Sequence, residues 1–169
     1  MSADHVVLVG MMGVGKSTVG RLLADEWSCP FDDTDAVIEA ESGRSVAQLF
    51  ETLGEGGFRS LESEVLARLL GESGRRVVSC GGGAVTVAEN RELLARRATV
   101  VWLTASIDVL ARRVGDGATR PLLADDPAGT LRALTEARAP DYAQVADHVV
   151  DTTDRRPRAI ARAVAEAVA

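Results

Sequence analysis

The chain has 169 residues, the length of one ordinary α/β domain, and we expect a single domain over residues 1–169. Its 19 Lys and Arg against 25 Asp and Glu give a net charge of −6, which argues against nucleic-acid or anionic-membrane binding through a broad basic surface. The chain has no run of about 18 apolar residues that could span a bilayer, and its N-terminus lacks the basic start of a signal peptide. Cys29 and Cys80 have no CxxC spacing, so neither a disulfide framework nor a zinc site is indicated. We therefore expect a cytoplasmic monomer that binds neither nucleic acid nor membranes.

Short apolar runs alternate along the chain with segments of helical periodicity. The first run, His5-Val6-Val7-Leu8-Val9, is β-branched and lacks polar alternation, which is typical of a strand buried on both faces of a parallel sheet. The same reasoning predicts further strands at 31–33, 77–80, 99–103 and 148–150. Predicted helices alternate with them at 16–27, around 37–38, 46–53, 58–69, 89–96, 106–113 and 130–138, and from Pro157 onward.

This alternation predicts an α/β fold, a three-layer α/β/α arrangement with a five-stranded, doubly wound parallel sheet and right-handed crossovers. Ligands of such folds bind outside the carboxyl ends of the strands. The segments that follow the predicted strands are therefore the first place to look for functional residues.

A phosphate-binding loop (P-loop) follows the first strand, in residues 10–17. The segment Gly10-Met11-Met12-Gly13-Val14-Gly15-Lys16-Ser17 matches G-x-x-x-x-G-K-[ST] and precedes a predicted helix. Its glycines let backbone N–H groups converge on phosphate oxygens at the positive end of that helix. In this motif the lysine reaches the β- and γ-phosphates and the serine hydroxyl ligates Mg²⁺. Lys16 is also the only lysine of the chain, since the other 18 basic residues are arginines.

Several charged residues elsewhere have both a functional and a structural interpretation. Asp33 and Asp35, at the carboxyl end of the second strand, offer one carboxylate for the water shell of Mg²⁺ and one to accept a hydroxyl proton. Alternatively, Thr34 or Asp35 only caps the next helix. Arg59 begins a predicted helix, where the macrodipole disfavours a cation, so a ligand carboxylate would explain it. Arg138 lies near a predicted helix C-terminus, where the macrodipole favours a cation, so no ligand is needed to explain its position.

Beyond the P-loop, the chain resembles the shikimate kinases along nearly its whole length. The motifs that carry the resemblance are Gly10–Thr18, Asp33-Thr34-Asp35 with Ile38-Glu39, Gly54-Glu55-x-x-Phe58-Arg59-x-x-Glu62, Gly81-Gly82-Gly83, Arg120-Pro121-Leu122-Leu123 and Arg138-x-Pro140-x-Tyr142. Each is weak alone, but their order and spacing are specific. The resemblance implies an ATP-dependent kinase that converts shikimate to shikimate 3-phosphate in aromatic amino-acid biosynthesis, with Mg²⁺ as cofactor.

The resemblance also implies roles for individual residues. Lys16, Asp35 and Arg120 would be catalytic, and Ser17 and Asp33 would hold the metal. ATP would be bound by Gly13, Val14, Gly15, Lys16, Ser17, Thr18, Arg113, Arg120 and Arg155. Shikimate would be bound within a region of about 33–62 and beyond it, by Asp35, Arg59, Gly82 and Arg138, with both arginines on its carboxylate. Phe50 and Phe58 would form an apolar wall near its ring, or belong only to the core.

A lid is predicted at about 114–126, where glycines and aspartates suit a loop that closes over phosphates and excludes water. Arg120 would there neutralise charge on the transferring phosphoryl group, unless the loop is only an exposed charged segment. Arg113 and Arg155 would face the adenine from two sides. Three neighbours are alternatives for these adenine contacts: Arg112, Arg156 and Arg158.

Two other classes of function compete with this interpretation. One is another small-molecule kinase, acting on gluconate or on a nucleoside monophosphate. The set Asp35, Arg59, Gly82 and Arg138 favours a polyhydroxylated carboxylic acid over a nucleotide. The other class is a nucleotide-binding regulator without turnover, which the intact P-loop and the lid arginine disfavour.

Overall fold

A five-stranded parallel sheet lies at the centre of the part of the chain that the structure, a computed structural model, describes: residues 5–115 and 125–169. The strands run in the spatial order β2-β3-β1-β4-β5, and every pairing between neighbours is parallel. Their bounds are β1 His5–Val9, β2 Phe31–Asp33, β3 Arg76–Ser79, β4 Ala98–Thr104 and β5 His148–Asp151. The predicted α/β class and the five parallel strands are confirmed.

Helices cover both faces of the sheet, which gives the expected three-layer arrangement. In the described residues they are α1 Lys16–Trp27, α2 Thr34–Ser42, α3 Val46–Leu69, α4 Ala88–Arg97, α5 Ile107–Val114, α6 Pro127–Val145 and α7 Pro157–Ala167, with a 3₁₀ turn at Ala84–Thr86. Helix α1 packs against α7, whereas α6 packs against α4 and α5. Within residues 5–115 and 125–169, no helix has the length and apolar character needed to cross a membrane.

The position of β1 at the centre of the sheet explains its apolar sequence. All five residues of β1 are buried, and Val7 and Leu8 are fully inaccessible to solvent. Each such side chain contributes about 1.5–3 kcal/mol of burial, so an unbroken apolar run is stable only at the middle of a covered sheet. The P-loop that follows β1 therefore starts at the centre of the carboxyl edge, directly beside the segment that follows β3.

Two helices differ from the prediction. The segments 46–53 and 58–69 form α3 as one helix with a break at Gly54, whose φ of 70° and ψ of 177° are not helical. Helix α6 was expected to end at 138, but it continues through Pro140 to Val145. Proline removes one backbone hydrogen bond, and here the helix continues because Leu131 and Tyr142, on either side of Pro140, are buried in the core.

Candidate active site

A cleft of about 630 Å³ opens at the carboxyl edge of the sheet. The P-loop, the start of α2, the middle of α3, the turn after β3 and helices α5 and α6 all contribute to its walls. Among the lining residues are Lys16, Asp35, Arg59, Gly82, Arg113 and Arg138. Residues more than a hundred positions apart in sequence thus meet at the edge where ligands of this fold class bind.

The P-loop is shaped to hold an anion at one end of the cleft. Gly15 caps α1 with a φ of 103°, a left-handed conformation that only glycine adopts easily. The first residues of α1, Lys16, Ser17 and Thr18, line the cleft, and the helix dipole adds partial positive charge there. The Lys16 ammonium lies inside the loop, where Nζ donates hydrogen bonds to the carbonyls of Gly10 at 2.7 Å and Met11 at 3.0 Å.

Ser17 and Asp33 bring two oxygen groups together beside the P-loop. The Ser17 hydroxyl donates a hydrogen bond to Oδ2 of Asp33. The other oxygen, Oδ1, accepts from the N–H groups of Asp35 at 3.0 Å and Ala36 at 3.3 Å and so caps α2. The alternative that Thr34 or Asp35 caps this helix is therefore wrong. Mg²⁺ prefers hard oxygen ligands and few protein groups beside substrate phosphates, so this hydroxyl and carboxylate fit the metal.

Arg59 is held rigidly at the other end of the cleft. It lies five residues after the break at Gly54, not at the start of a helix as expected. Its Nη1 donates to Oε2 of Glu62 at 2.6 Å, and the guanidinium lies 5.7 Å from the ring of Phe50 and 5.4 Å from that of Phe58. A buried ion pair and two aromatic faces restrict the side chain, which suits recognition of a planar carboxylate.

Glu62, which closes the motif that contains Arg59, adjoins the site, although the sequence alone assigns it no role. Its side chain is completely buried, and burial raises the pKa of the carboxyl group above the usual value. The negative charge of Asp35 raises this pKa further, whereas the Arg59 guanidinium opposes both effects. The i, i+3 spacing of Arg59 and Glu62 on one helix was the available signal.

Arg138 occupies the middle of α6 rather than a helix C-terminus, because the helix continues past Pro140. Only 4% of this residue is exposed. Its Nη1 is buried and has no hydrogen-bond partner within residues 5–115 and 125–169. An unsatisfied buried guanidinium N–H is costly, and an anionic ligand in the cleft would satisfy it.

The glycine turn, residues 81–83, is where these groups converge. A β-carbon on Gly81 would lie 3.0 Å from Oδ1 of Asp35, and one on Gly82 would lie 3.3 Å from Nη1 of Arg138. A β-carbon on Gly83 would overlap the guanidinium of Arg59. The same β-carbon on Gly82 would also lie 3.5 Å from two P-loop backbone atoms, the carbonyl oxygen of Gly10 and the nitrogen of Met12. The turn after β3 therefore adjoins the P-loop, one carboxylate and both arginines.

The two arginines expected to contact the adenine lie in different surroundings. Arg113 lines the cleft, where Nη1 donates to the carbonyl of Val14 at 3.2 Å and Nη2 to that of Thr152 at 3.1 Å. Arg155 is exposed, does not line the cleft, and donates to the carbonyls of Asp151 at 3.1 Å and Ala159 at 3.3 Å.

The predicted lid is described only at its ends. Val114 ends α5, Gly115 follows it, and Asp126 caps α6 by accepting from the N–H of Gly129. Arg120 lies outside the described residues, as does the rest of the segment 116–124.

Comparisons with known proteins identify the family. A family model described as shikimate kinase matches residues 12–169. A shikimate kinase of Halorhodospira halophila is 47% identical over 166 residues, which cover 98% of this chain and 93% of the relative. One of Symbiobacterium thermophilum is 52% identical over 155 residues, or 90% of this chain and 88% of the relative.

Solved structures agree. The shikimate kinase from Acinetobacter baumannii in complex with shikimate has a TM-score of 0.92 and 37% identity, covering 96% of this chain and 90% of that one. A gluconokinase from Sinorhizobium meliloti, with a TM-score of 0.65 and 21% identity over 99% of this chain and 93% of that one, shares the fold alone. This chain belongs to the shikimate kinase family.

Proposed function

We propose that this chain is a kinase that transfers the γ-phosphoryl group of ATP to a hydroxyl of shikimate, giving shikimate 3-phosphate in aromatic amino-acid biosynthesis. One observation carries the proposal beyond family membership. The cleft of about 630 Å³ is lined by Lys16 of the P-loop, by Asp35 and by both Arg59 and Arg138. A polyhydroxylated acid in this cleft would have its carboxylate on the arginines and a hydroxyl beside the phosphates.

The phosphate end of the cleft acts by positioning and by neutralising charge. The amides at the start of α1 would cradle the phosphates, and the Lys16 ammonium would offset the charge that builds on the transferring group. Ser17 and Asp33 are the residues that would hold Mg²⁺, which supplies positive charge to the phosphate oxygens. The remaining ATP contacts would come from backbone and hydroxyl groups of the same loop, at Gly13, Val14, Gly15 and Thr18.

The acceptor end of the cleft orients the acid. Arg59 and Arg138 would bind the carboxylate through paired, charge-assisted hydrogen bonds, and a backbone N–H at Gly82 would donate to the substrate. This leaves the hydroxyl to be phosphorylated near Asp35, which would orient it and accept its proton as the phosphorus–oxygen bond forms. Pairing with Glu62 fixes Arg59 in advance, so little rotamer freedom is lost on binding.

Other parts of the proposal rest on the family resemblance. Arg120 would neutralise charge from a lid spanning about 114–126, and Arg113 and Arg155 would face the adenine. Arg113 has the stronger case, because it lines the cleft next to the P-loop. A cytoplasmic, monomeric enzyme formed by one domain over residues 1–169, without nucleic-acid or membrane partners, remains our prediction.

The test is ADP release with ATP and Mg²⁺ against shikimate, gluconate and nucleoside monophosphates as acceptors. Of these acceptors, we expect only shikimate to be turned over, with the product identified by phosphorus NMR. The Lys16→Met variant is the control and should remain folded with almost no transfer, since the ammonium is lost. Comparable turnover of gluconate or a nucleotide would contradict the substrate, and near-normal turnover by the lysine variant would contradict the role of the P-loop.

A further inference from the structure

Tyr142 has a buried hydroxyl group to which the mechanism above gives no role. It lies on α6 four residues after Arg138, so both side chains project from the same face of the helix. The ring is 1% exposed and stacks on Trp102 with 5.5 Å between centroids. Stacking accounts for the ring, and a phenylalanine would preserve it, so the hydroxyl needs a separate explanation.

The hydroxyl lies beside two of the groups that we place on the substrate. It donates a hydrogen bond to the carbonyl of Gly82, and the positive charge of the nearby Arg138 guanidinium opposes the rise that burial causes in its pKa. The Met11 sulfur lies 3.7 Å away, but a hydroxyl has one proton to donate and a carbonyl oxygen is the stronger acceptor. Burial raises the pKa of the Tyr142 hydroxyl to about 12, so the proton stays in place at ordinary pH.

The geometry of the glycine turn shows what this hydrogen bond controls. The carbonyl of Gly82 belongs to the peptide that joins it to Gly83, and each end of this peptide adjoins one arginine: a β-carbon on Gly82 would lie 3.3 Å from Nη1 of Arg138, and one on Gly83 would overlap the guanidinium of Arg59. A rigid planar peptide cannot rotate its carbonyl without moving both ends. Fixing this one oxygen therefore fixes the position of the turn relative to both arginines.

We propose that Tyr142 is a positioning residue for the acid substrate, whose hydroxyl fixes the peptide after Gly82 and so sets the spacing between this peptide and Arg138 that the substrate requires. The proposal rests on the proposed function and adds to it the means by which the acceptor end is preorganised. Its effect is confined to the acid, because the phosphate contacts come from the P-loop and α1.

The test compares Tyr142→Phe with Val145→Ala, a change at a buried residue of the same helix that does not line the cleft. We expect Tyr142→Phe to raise KM for shikimate about tenfold, which corresponds to one lost hydrogen bond, while KM for ATP stays within about twofold. Val145→Ala should lower Tm and leave both KM values near those of the wild type. An unchanged KM for shikimate, or equal rises in both KM values, would overturn the proposal.

A double-mutant cycle tests the coupling. If the hydroxyl acts through Arg138, removing it in an Arg138→Ala background should cost much less than in the wild type. Fully additive losses would overturn the coupling. Failure of the proposed function is seen separately, in the acceptor specificity of the wild type. If another acid proves to be the substrate, the KM ratios between variant and wild type are measured with that acid.

Discussion

Gly83 and Arg59 are in contact in a way that only the absence of a side chain permits. A β-carbon built on Gly83 would overlap Nη2 of Arg59, although the two residues belong to different elements. The backbone angles of Gly83, a φ of −99° and a ψ of 0°, are ones that other residue types also adopt. Glycine is therefore required here by space, and not by conformation.

The first prediction uses this contact. Gly83→Ala should fold normally, because its backbone angles suit alanine, but it should displace a guanidinium that Glu62 and two aromatic rings hold in place. We expect KM for shikimate to rise about tenfold with KM for ATP unchanged, as for a weakened charge-assisted pair. Gly56→Ala is the matched control, since a β-carbon there meets open space. Equal kinetics in the two variants would contradict the steric role of Gly83.

The outline of this site could be predicted from the sequence because its motifs are local. The P-loop, the carboxylates after β2 and the buried run of β1 all depend on neighbouring residues, and the structure has them in the expected elements. The convergence on the glycine turn was predicted only through the family resemblance, because it requires the spatial order β2-β3-β1, which no local pattern encodes.

Helix α6 illustrates the same limit. Pro140 is a local signal for the end of a helix, whereas the packing of Leu131 and Tyr142 that carries the helix to Val145 is tertiary. Placing Arg138 at a helix end was the consequence of that missing information. The role of Tyr142 likewise depends on a contact across elements, whereas the pairing of Glu62 with Arg59 is local to α3.

Asp35 gives the second prediction. If it accepts the proton of the attacking hydroxyl, Asp35→Asn should lower kcat by at least about 10²-fold, with ATP binding little altered. Single-turnover measurements would separate the chemical step from substrate binding. Loose transition states for phosphoryl transfer need little base, so retention of most of kcat with a raised KM would mean that Asp35 only orients the hydroxyl.

Glu62 gives a prediction about stability and pH. Burial raises the pKa of its carboxyl group in the folded state, so folding favours the protonated form. This contribution to stability is fully present below the pKa of the unfolded chain and is lost as pH rises through the folded-state pKa. Glutamine cannot ionise. The unfolding free energy of Glu62→Gln should therefore increase relative to that of the wild type from about pH 4 to about pH 8.

Denaturant unfolding of both proteins across this range measures the effect. Glu64→Gln, a change at an exposed residue of the same helix, controls for the loss of one negative charge. A difference that stays constant with pH, or that falls as pH rises, would mean that pairing with Arg59 outweighs burial at this site.

The last prediction concerns the two arginines, because binding of a carboxylate separates a kinase that acts on an acid from one that acts on a nucleoside monophosphate. If both bind one carboxylate, Arg59→Ala and Arg138→Ala each remove a charge-assisted pair worth roughly 1.5–3 kcal/mol, or about 10- to 150-fold. The loss should appear as a raised KM for shikimate, with KM for ATP nearly unchanged. Lysine at either position should restore little, since a point charge cannot reproduce the planar fork. Arg68→Ala, an exposed arginine of the same helix as Arg59, should change neither constant.

A substrate analogue tests the partner of the two arginines directly. With its carboxylate converted to a neutral amide, shikimate should bind poorly to the wild type and hardly distinguish the wild type from Arg59→Ala, because the charge that the guanidinium recognises is gone. If instead the wild type turned over the amide as well as the acid, the arginines would serve the phosphates or the fold. The shikimate assignment would then fail while the kinase assignment survived, since Lys16 and the P-loop act on ATP whichever acceptor is bound.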